Sequence, residues 1–405
     1  MALIVQKFGG TSVKDTEALE RVANRIIAQK SQGNDVVVVV SAQGKFTDEL
    51  IAKAQEITGK PAKRELDFVM AAGEQISAGL LALTLKKMGY GAAPLTGWQS
   101  GFLTNSNHGN ARIRRLNADR IELELSKGNI VIVTGFQGIN RYDDITTFGR
   151  GGSDTSAVAI AAALHADKCQ IFTDVDGVYT ADPRIVKSAQ KLAAISYDEM
   201  LELATLGAQV LHNRSVEMAK KYNVRMEVLS SIEDKPGTIV KEVAKLEKML
   251  IKGIAKDDDV ARISIIGVAD VPGIAFKVFS LLANIHVNVD IILQSIGRDA
   301  TKDISFTVAL SDMQASMDAL NENKDSIGFK SLVADNDISK VSVVGAGMES
   351  NPGVASKVFE ALFEAGVNIH MISTSEIKIS VLIDKVMGTK AVNAIHEAFE
   401  ENLRD

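Results

Sequence analysis

Apolar positions over the first 235 or so residues switch repeatedly between two periods. Ala2 to Gln6 is a short apolar run that ends in Lys7-Phe8-Gly9-Gly10. Leu19, Val22, Ala23, Ile26 and Ile27 then recur at helical spacing, and Gly33 closes the segment. Val36 to Val40 is continuous and β-branched, the pattern of a strand covered on both faces. Ile130 to Thr134, a helix from about Thr155 to His165 and a strand from Gln170 to Thr173 repeat the rhythm. Strands alternating with helices predict an α/β fold, a parallel or mixed sheet with helices on both faces. Ligands of such sheets bind beyond the carboxyl ends of the strands.

A duplication follows. Ile263-Ser264-Ile265-Ile266-Gly267 is echoed by Val341-Ser342-Val343-Val344-Gly345, and Pro272-Gly273 by Pro352-Gly353. Val278-Phe279 matches Val358-Phe359, Val287-Asn288-Val289 matches Val367-Asn368-Ile369, and Ile304-Ser305 matches Ile379-Ser380. Each unit reads strand, Pro-Gly turn, helix, strand, strand, helix, and the first adds a strand near Phe329 to Ala334. The second unit lacks that strand and would expose a sheet edge. Met249 to Lys256 is expected to supply it. The expected division is a first domain over 1–240, a linker over 241–248, and βαββαβ domains over 258–335 and 339–405, the second completed by 249–256.

At 405 residues, two or three domains are the normal expectation. An apolar fraction of 46% and a charged fraction of 24% exclude a mostly disordered chain. The net charge of −6, with no basic stripe, argues against a nucleic-acid partner but leaves room for small anionic substrates. Cys169 is the single cysteine and no zinc-ligand spacing exists, so no bound metal and a reducing cytoplasm are expected. The start MALIVQKFGG lacks a basic n-region and a long apolar stretch, and Val36 to Val40 falls far short of the ~20 apolar residues of a membrane span. Neither a signal peptide nor a membrane is expected.

Three Gly-rich segments carry candidate chemistry. In Lys7-Phe8-Gly9-Gly10-Thr11-Ser12 two glycines let backbone amides approach an anion beside a lysine; a lysine snorkelling at a strand end is the bland alternative. Phe148 to Ser156 sets Arg150 among glycines ahead of an apolar helix, with Ser153 and Asp154 as potential caps. It is not a Walker A loop, since no GK[ST] follows the glycines. Thr173 to Arg184 interleaves acids with glycine but lacks EF-hand spacing. There Asp174 suits ribose hydroxyls, with Tyr179 and Arg184 bordering a base and its phosphates, or else the segment is a solvated turn. His108 and His212 have no nucleophile placed beside them and read as structural.

Together these segments resemble the amino-acid kinase superfamily, and the aspartate kinase family in particular. The quoted matches are KFGGTSV, VVVVSA, AAGEQIS around Glu74, HGNARI from His108, GFQG from Gly135, GRGGSDTSAVA and TDVDGVYTADPRIV. The tandem repeat resembles a pair of ACT modules. The resemblance implies a three-layer αβα kinase domain followed by two ferredoxin-like ACT domains. It further implies transfer of the ATP γ-phosphoryl to the β-carboxylate of L-aspartate, with Mg²⁺ held mainly through the phosphates. In that reading Lys7 and Asp154 are catalytic. Ser41, Thr47, Glu74, Arg150, Gly151, Gly152 and Ser153 bind substrate, Arg150 on the α-carboxylate and Glu74 on the α-ammonium. Lys7, Phe8, Gly9, Gly10, Thr173, Asp174, Tyr179, Asp182 and Arg184 bind ATP. Gln43, Lys45, Phe46, Trp98 and Asn213 depart from the residues usual in the family. Another acceptor, such as glutamate, and a non-catalytic amino-acid sensor are the competing readings.

For the ACT-like part the resemblance implies feedback by lysine, threonine or both. Asp270, Gly273, Ile274 and Ala275 form a turn into a helix whose amides suit a carboxylate. Asn288 and Gln294 are expected on the next strand, and Asn368, Ile369 and Thr374 are their counterparts. Pro-Gly and Asn are equally common as plain turn residues. ACT modules usually pair edge to edge, implying at least a homodimer.

Overall fold

A computed structural model describes residues 1–206, 210–242, 251–295, 300–348, 351, 353–400 and 403. The chain divides into two compact units, Met1–Tyr179 with Lys191–Lys245 and Thr180–Gln190 with Leu246–Asp405.

The strands of the first unit are β1 (Leu3–Phe8), β2 (Asp35–Val40), β3 (Ala92–Leu95), β4 (Phe102–Thr104), β5 (Ile113–Leu116), β6 (Ile130–Thr134), β7 (Gln137–Ile139), β8 (Ile145–Thr147), β9 (Lys168–Thr173), β10 (Ala194–Ile195), β11 (Met226–Ser230) and β12 (Thr238–Val240). Eight form one sheet in the order β10-β12-β11-β9-β1-β2-β6-β3, and the others a small sheet in the order β5-β4-β7-β8. The large sheet is parallel apart from the β11–β12 pair. Its helices are α1 (Thr16–Ser31), α2 (Phe46–Thr58), α3 (Lys63–Met70), α4 (Ala72–Lys87), α5 (Asp119–Ser126), α6 (Gly152–Ala163), α7 (Tyr197–Thr205) and α8 (Asn213–Tyr222).

Alternate residues of the central strands face opposite layers, as the period-2 pleat requires. Phe8, Val36, Val38, Val40, Ile130 and Ile132 bury against Leu19, Val22 and Ile26 of α1 and Ala78, Leu81 and Leu85 of α4. Val37, Val39, Val131 and Val133 are equally buried. On their side α6 packs on β1, β2 and β9, and its residues from Gly152 to Ala161 are all buried. Its small side chains let the helix lie close to the sheet. The continuous valine run is therefore a strand with two covered faces. Asp15 caps α1, its side chain accepting from the Ala18 amide at 2.8 Å.

The second unit holds β13 (Gly253–Asp257), β14 (Ala261–Ala269), β15 (Ile292–Gln294), β16 (Thr301–Val308), β17 (Ser331–Asp335), β18 (Ile338–Val344), β19 (Met371–Thr374) and β20 (Lys378–Asp384). Its helices are α9 (Ile274–Asn284), α10 (Met313–Glu322), α11 (Lys324–Ile327), α12 (Val354–Glu364) and α13 (Gly388–Ala398). Two antiparallel sheets result, β15-β16-β14-β17 and β13-β18-β20-β19. Strand β13 lies antiparallel to β18 from Gly253↔Val344 to Asp257↔Lys340, where β17 flanks β14 in the other sheet. The expected linker beyond Glu242, the strand's first two residues at 249–250 and Pro352 lie outside the described residues.

One boundary differs from the sequence expectation. The sequence places Thr180–Gln190 within the first domain, yet the segment clusters with the second unit. Ala181 and Val186 bury in that unit's core beside Ile251, Ile254 and Ile395, and the Thr180 carbonyl accepts from the Ile254 amide at 2.8 Å. An apolar pair inside a polar loop buries where apolar surface is available.

Candidate active site

Parallel register brings the loops together. Phe8 pairs with Val40 and Phe172, and Val40 with Thr134, so β1, β2, β6 and β9 end along one edge of the sheet. Backbone bonds stitch the loops that follow: Ser41 donates to the Phe8 carbonyl at 3.1 Å, Gly135 to Val40 at 3.0 Å and Gly44 to Gly10 at 2.9 Å. Two glycines are dictated by close approach. A Cβ on Gly10 would lie 2.6 Å from the Ala42 carbonyl oxygen, and one on Gly135 would lie 2.7 Å from Ser153 Cβ.

The strongest charge pairing at this edge is Lys7 Nζ to Asp154 Oδ1 at 2.7 Å, with the side chains 12% and 10% exposed. Ser41 Oγ donates to Ser153 Oγ at 3.0 Å, tying the loop after β2 to the start of α6. That helix begins at Gly152, earlier than the expected Thr155, with Gly151 as its N-cap at φ 65°. A Cβ at Gly151 would meet the His212 ring at 2.2 Å, so only glycine fits. Ser153 and Asp154 thus sit inside the first turn rather than capping it, and Asp154 is freed to pair with Lys7.

Glu74, in the first turn of α4, is 3% exposed. Its Oε1 accepts from the Ala42 amide at 3.0 Å, while Oε2 is buried without a partner among the described residues. Burial raises its pKa to about 7 against the pull of the Ala42 hydrogen bond. Such a carboxylate calls for an incoming cation. Arg150 is exposed, with no ion pair among the described residues. Thr47 is half-buried in the first turn of α2.

On the β9 side Phe8 and Phe172 stack at 4.6 Å between ring centroids. Thr173 Oγ1 donates to Asp174 Oδ1 at 3.0 Å, and Asp174 is exposed. The Tyr179 hydroxyl donates to Asp176 at 2.8 Å, and burial with that carboxylate pushes its pKa to about 12. Asp182 and Arg184 fall in the second unit, paired to each other at 2.7 Å.

Three supports were not singled out from sequence. Asp67 is fully buried and accepts from Gly109 N at 2.9 Å, Thr147 N at 3.1 Å and Thr147 Oγ1 at 2.5 Å, with His108 Nδ1 at 3.1 Å. Arg214 donates to the carbonyls of Phe148 at 2.6 Å and Ala111 at 2.9 Å, anchoring the loop that carries Arg150. Burial and the nearby Arg112 lower its pKa to about 10. Lys235 lines a cleft of about 380 Å³ together with Gln6, Arg25, Phe172 and Ser230. Nothing local in the sequence ties residue 235 to strand ends far behind it. His212 is the N-cap of α8, accepting from Arg214 N at 3.3 Å, and burial lowers its pKa.

The amino acid kinase family pattern matches residues 2–230, and the ACT domain pattern matches 263–323 and 341–399. The aspartokinase of Bacillus sp. MGA3 is 50% identical over 401 residues, covering 99% of this chain and 98% of that one. Aspartokinase 2 of Bacillus subtilis is 50% identical with the same coverage. The chain belongs to the aspartokinase family. Escherichia coli aspartokinase III in complex with aspartate and ADP shares the fold at TM-score 0.82 and 24% identity, covering 98% of this chain and all of that one. The same enzyme in complex with lysine and aspartate gives 0.75 and 25%, covering 98% and 99%.

In the ACT units of this aspartokinase-family chain the expected effector residues fall at helix starts, in loops and at strand ends. Gly273 at φ 95° and Gly353 at φ 102° are the N-caps of α9 and α12. Asp270 pairs with Lys302 at 2.9 Å; Ile274 is buried and Ala275 exposed. Asn288 lies ahead of β15, which starts only at Ile292, so it is a loop residue rather than a strand residue. Gln294 ends β15 and Thr374 ends β19; Asn368 is exposed and Ile369 half-buried.

Proposed function

We propose that this chain catalyses ATP + L-aspartate → ADP + 4-phospho-L-aspartate, with Lys7 and Asp154 at the reacting centre. Its main support is one edge of the sheet that carries both the Lys7–Asp154 pair and the buried, half-unpaired Glu74 carboxylate. A cation for the phosphoryl oxygens stands at the end of β1, and an anion for the substrate ammonium stands at the start of α4, bonded to the loop after β2.

In this reading a β-carboxylate oxygen attacks the γ-phosphorus in line. The bond from that phosphorus to the bridging oxygen breaks, and ADP departs with the electron pair. A carboxylate is ionised at neutral pH, so no general base is needed. The task is to bring two anions together and hold them. Lys7 neutralises charge spreading over the phosphoryl oxygens, and Asp154 holds its ammonium in place. Arg150 is assigned the α-carboxylate, which its guanidinium suits in bidentate fashion, Glu74 the α-ammonium, and Ser41, Thr47 and Gly151 to Ser153 the rest of the substrate. Phe8 to Gly10, Thr173, Asp174 and Tyr179 are assigned to ATP. Mg²⁺ would be held mainly through the nucleotide phosphates and would offset part of their charge; among the described residues no group of three or more His, Cys, Asp or Glu could hold a metal.

Lysine, threonine or both are the proposed effectors at the ACT turns, and edge-to-edge ACT pairing the basis of at least a homodimer in the cytoplasm. Incubation with ATP, Mg²⁺ and either aspartate, glutamate or N-acetylglutamate, followed by trapping of the acyl phosphate as hydroxamate, tests the reaction. Product with aspartate is expected. Product only with another acceptor, or binding of lysine or threonine with no aspartate-dependent ADP release, overturns it.

A further inference from the structure

Residues Ser41 to Lys45 connect β2 to α2 and include Gln43, with Phe46 just beyond, two of the residues the sequence set apart. No residue of α2 is buried, and its N-cap Lys45 makes no side-chain cap bond, so the helix does little to fix this loop. Bonds to its two sides hold it instead. Toward β1, Gln43 Nε2 donates to the Val13 carbonyl at 2.7 Å and the Gly44 amide donates to the Gly10 carbonyl. Gly10 and Val13 are the first and last residues of the one-turn 3₁₀ helix that follows β1. Toward α4, the Ala42 amide donates to Glu74, and the Phe46 ring lies 3.5 Å from where a Cβ on Gly73 would be.

The two sides serve different reactants. In the reaction proposed above, on which this inference rests, Phe8 to Gly10 hold the nucleotide, whereas Ser41, Thr47 and Glu74 hold aspartate. In-line transfer needs the attacking oxygen and the phosphorus about 3–3.5 Å apart, and a misplacement of ~1 Å costs about 10²-fold in rate. Two loops moving independently would meet that condition only part of the time. Val13 is fully buried, so its carbonyl needs a partner from within the protein. The Gln43 amide supplies that partner from the opposite loop, and among the described residues it is the one side-chain hydrogen bond from residues 41–47 to the turn after β1.

We infer that Gln43 is a positioning residue for the phosphoryl transfer. Its side chain locks the loop that binds the acceptor onto the turn that binds the donor, so that ordering of either half by its reactant orders the other. The lock favours joint binding of two anions that otherwise repel each other. By linkage, nucleotide and aspartate gain from it by the same factor.

Gln43→Met keeps nearly the same side-chain length but has no N–H to donate. Lys45→Ala alters an exposed neighbour in the same loop and leaves the bond alone. Titration calorimetry with a non-hydrolysable ATP analogue and Mg²⁺, with and without saturating L-aspartate, reads the coupling without turnover. In Gln43→Met the ratio of the two Kd values is expected to shift about three- to tenfold against joint binding, and in Lys45→Ala to stay at the parent's value. Titrating aspartate with and without the analogue should return the same shift. Each reactant alone should bind Gln43→Met with nearly the parent's affinity, while kcat at saturation of both falls about tenfold or more. A bond that merely shapes the loop would instead weaken each reactant alone and leave the ratio unchanged. That result, or an equal shift in Lys45→Ala, overturns the role of Gln43 and leaves the reaction standing. A parent that binds the nucleotide but no aspartate overturns the reaction, and the role of Gln43 with it.

Discussion

Glu74 has one carboxylate oxygen on the Ala42 amide and the other unpaired, so ionising it costs desolvation with no counter-charge to offset it. With the pKa moved from 4.5 to about 7, the folded chain holds a proton through a pH range where the unfolded chain has lost it. The associated stability is fully present below pH 4.5 and lost as pH rises through about 7, an effect on the order of 3 kcal/mol. Glu74→Gln, which keeps the shape without the charge, should therefore melt higher than the parent at pH 8.5 in the absence of substrate and match it near pH 5. The same ionisation should govern aspartate binding, so kcat/KM for aspartate should fall as pH drops below about 7. A flat profile there would disconnect Glu74 from the ammonium. Lys7 offers a sharper separation of stability from catalysis. Lys7→Met should lower kcat by about 10²-fold or more, and should also lower the melting temperature because Asp154 loses its partner in a buried site. Lys7→Met combined with Asp154→Asn should recover the melting temperature but not kcat. Lys7 and Arg150 could be singled out from sequence as charges set beside glycines, whereas Glu74 and the pairing role of Asp154 were implied only by the family resemblance. The unpaired Glu74 oxygen could not be named from sequence, since it depends on how α4 packs under the loop after β2.

At the scale of elements, glycines set the separation of the loops. Gly135→Ala would drive a methyl to 2.7 Å from Ser153 Cβ, pushing α6 and with it Asp154 away from Lys7. The expected cost is about 1–3 kcal/mol in denaturant unfolding, with a loss of kcat larger than that destabilisation explains. Arg214 acts at the same scale by donating to carbonyls of two loops. Arg214→Lys should raise KM for aspartate more than it lowers kcat, because a single ammonium cannot span both acceptors and the Arg150 loop loosens; equal effects on both constants would argue for a different role. The strand ends, the helix that follows each and the Gly-rich turns were legible from periodicity and turn chemistry. The start of α6 was misplaced by three residues, because Ser153 and Asp154 are favourable caps in isolation and only the Lys7 ammonium and the Gly151–His212 contact override that preference.

Across the whole molecule, the duplicated βαββαβ pattern identified two copies of one small module, which the family resemblance made regulatory, and the need to cover an edge pointed to the chain before the first of them. In the structure β13 lies along β18 over Gly253–Asp257. If the ACT turns bind effectors as proposed, lysine or threonine, singly or together, should inhibit the parent, and Asp270→Ala should weaken that inhibition at least several-fold while basal turnover stays near the parent's. Loss of basal turnover in that variant would argue for a structural turn instead.

Element types, the repeat and the Gly-rich turns with their flanking charges follow from the sequence alone, because propensity, periodicity and turn chemistry act over a few residues. Which unit claims Thr180–Gln190, which carboxylate oxygen goes unpaired and which loop Arg214 braces were decided only by the folded chain. Each depends on groups far apart in sequence competing for the same buried space, and that competition is resolved only when the layers pack.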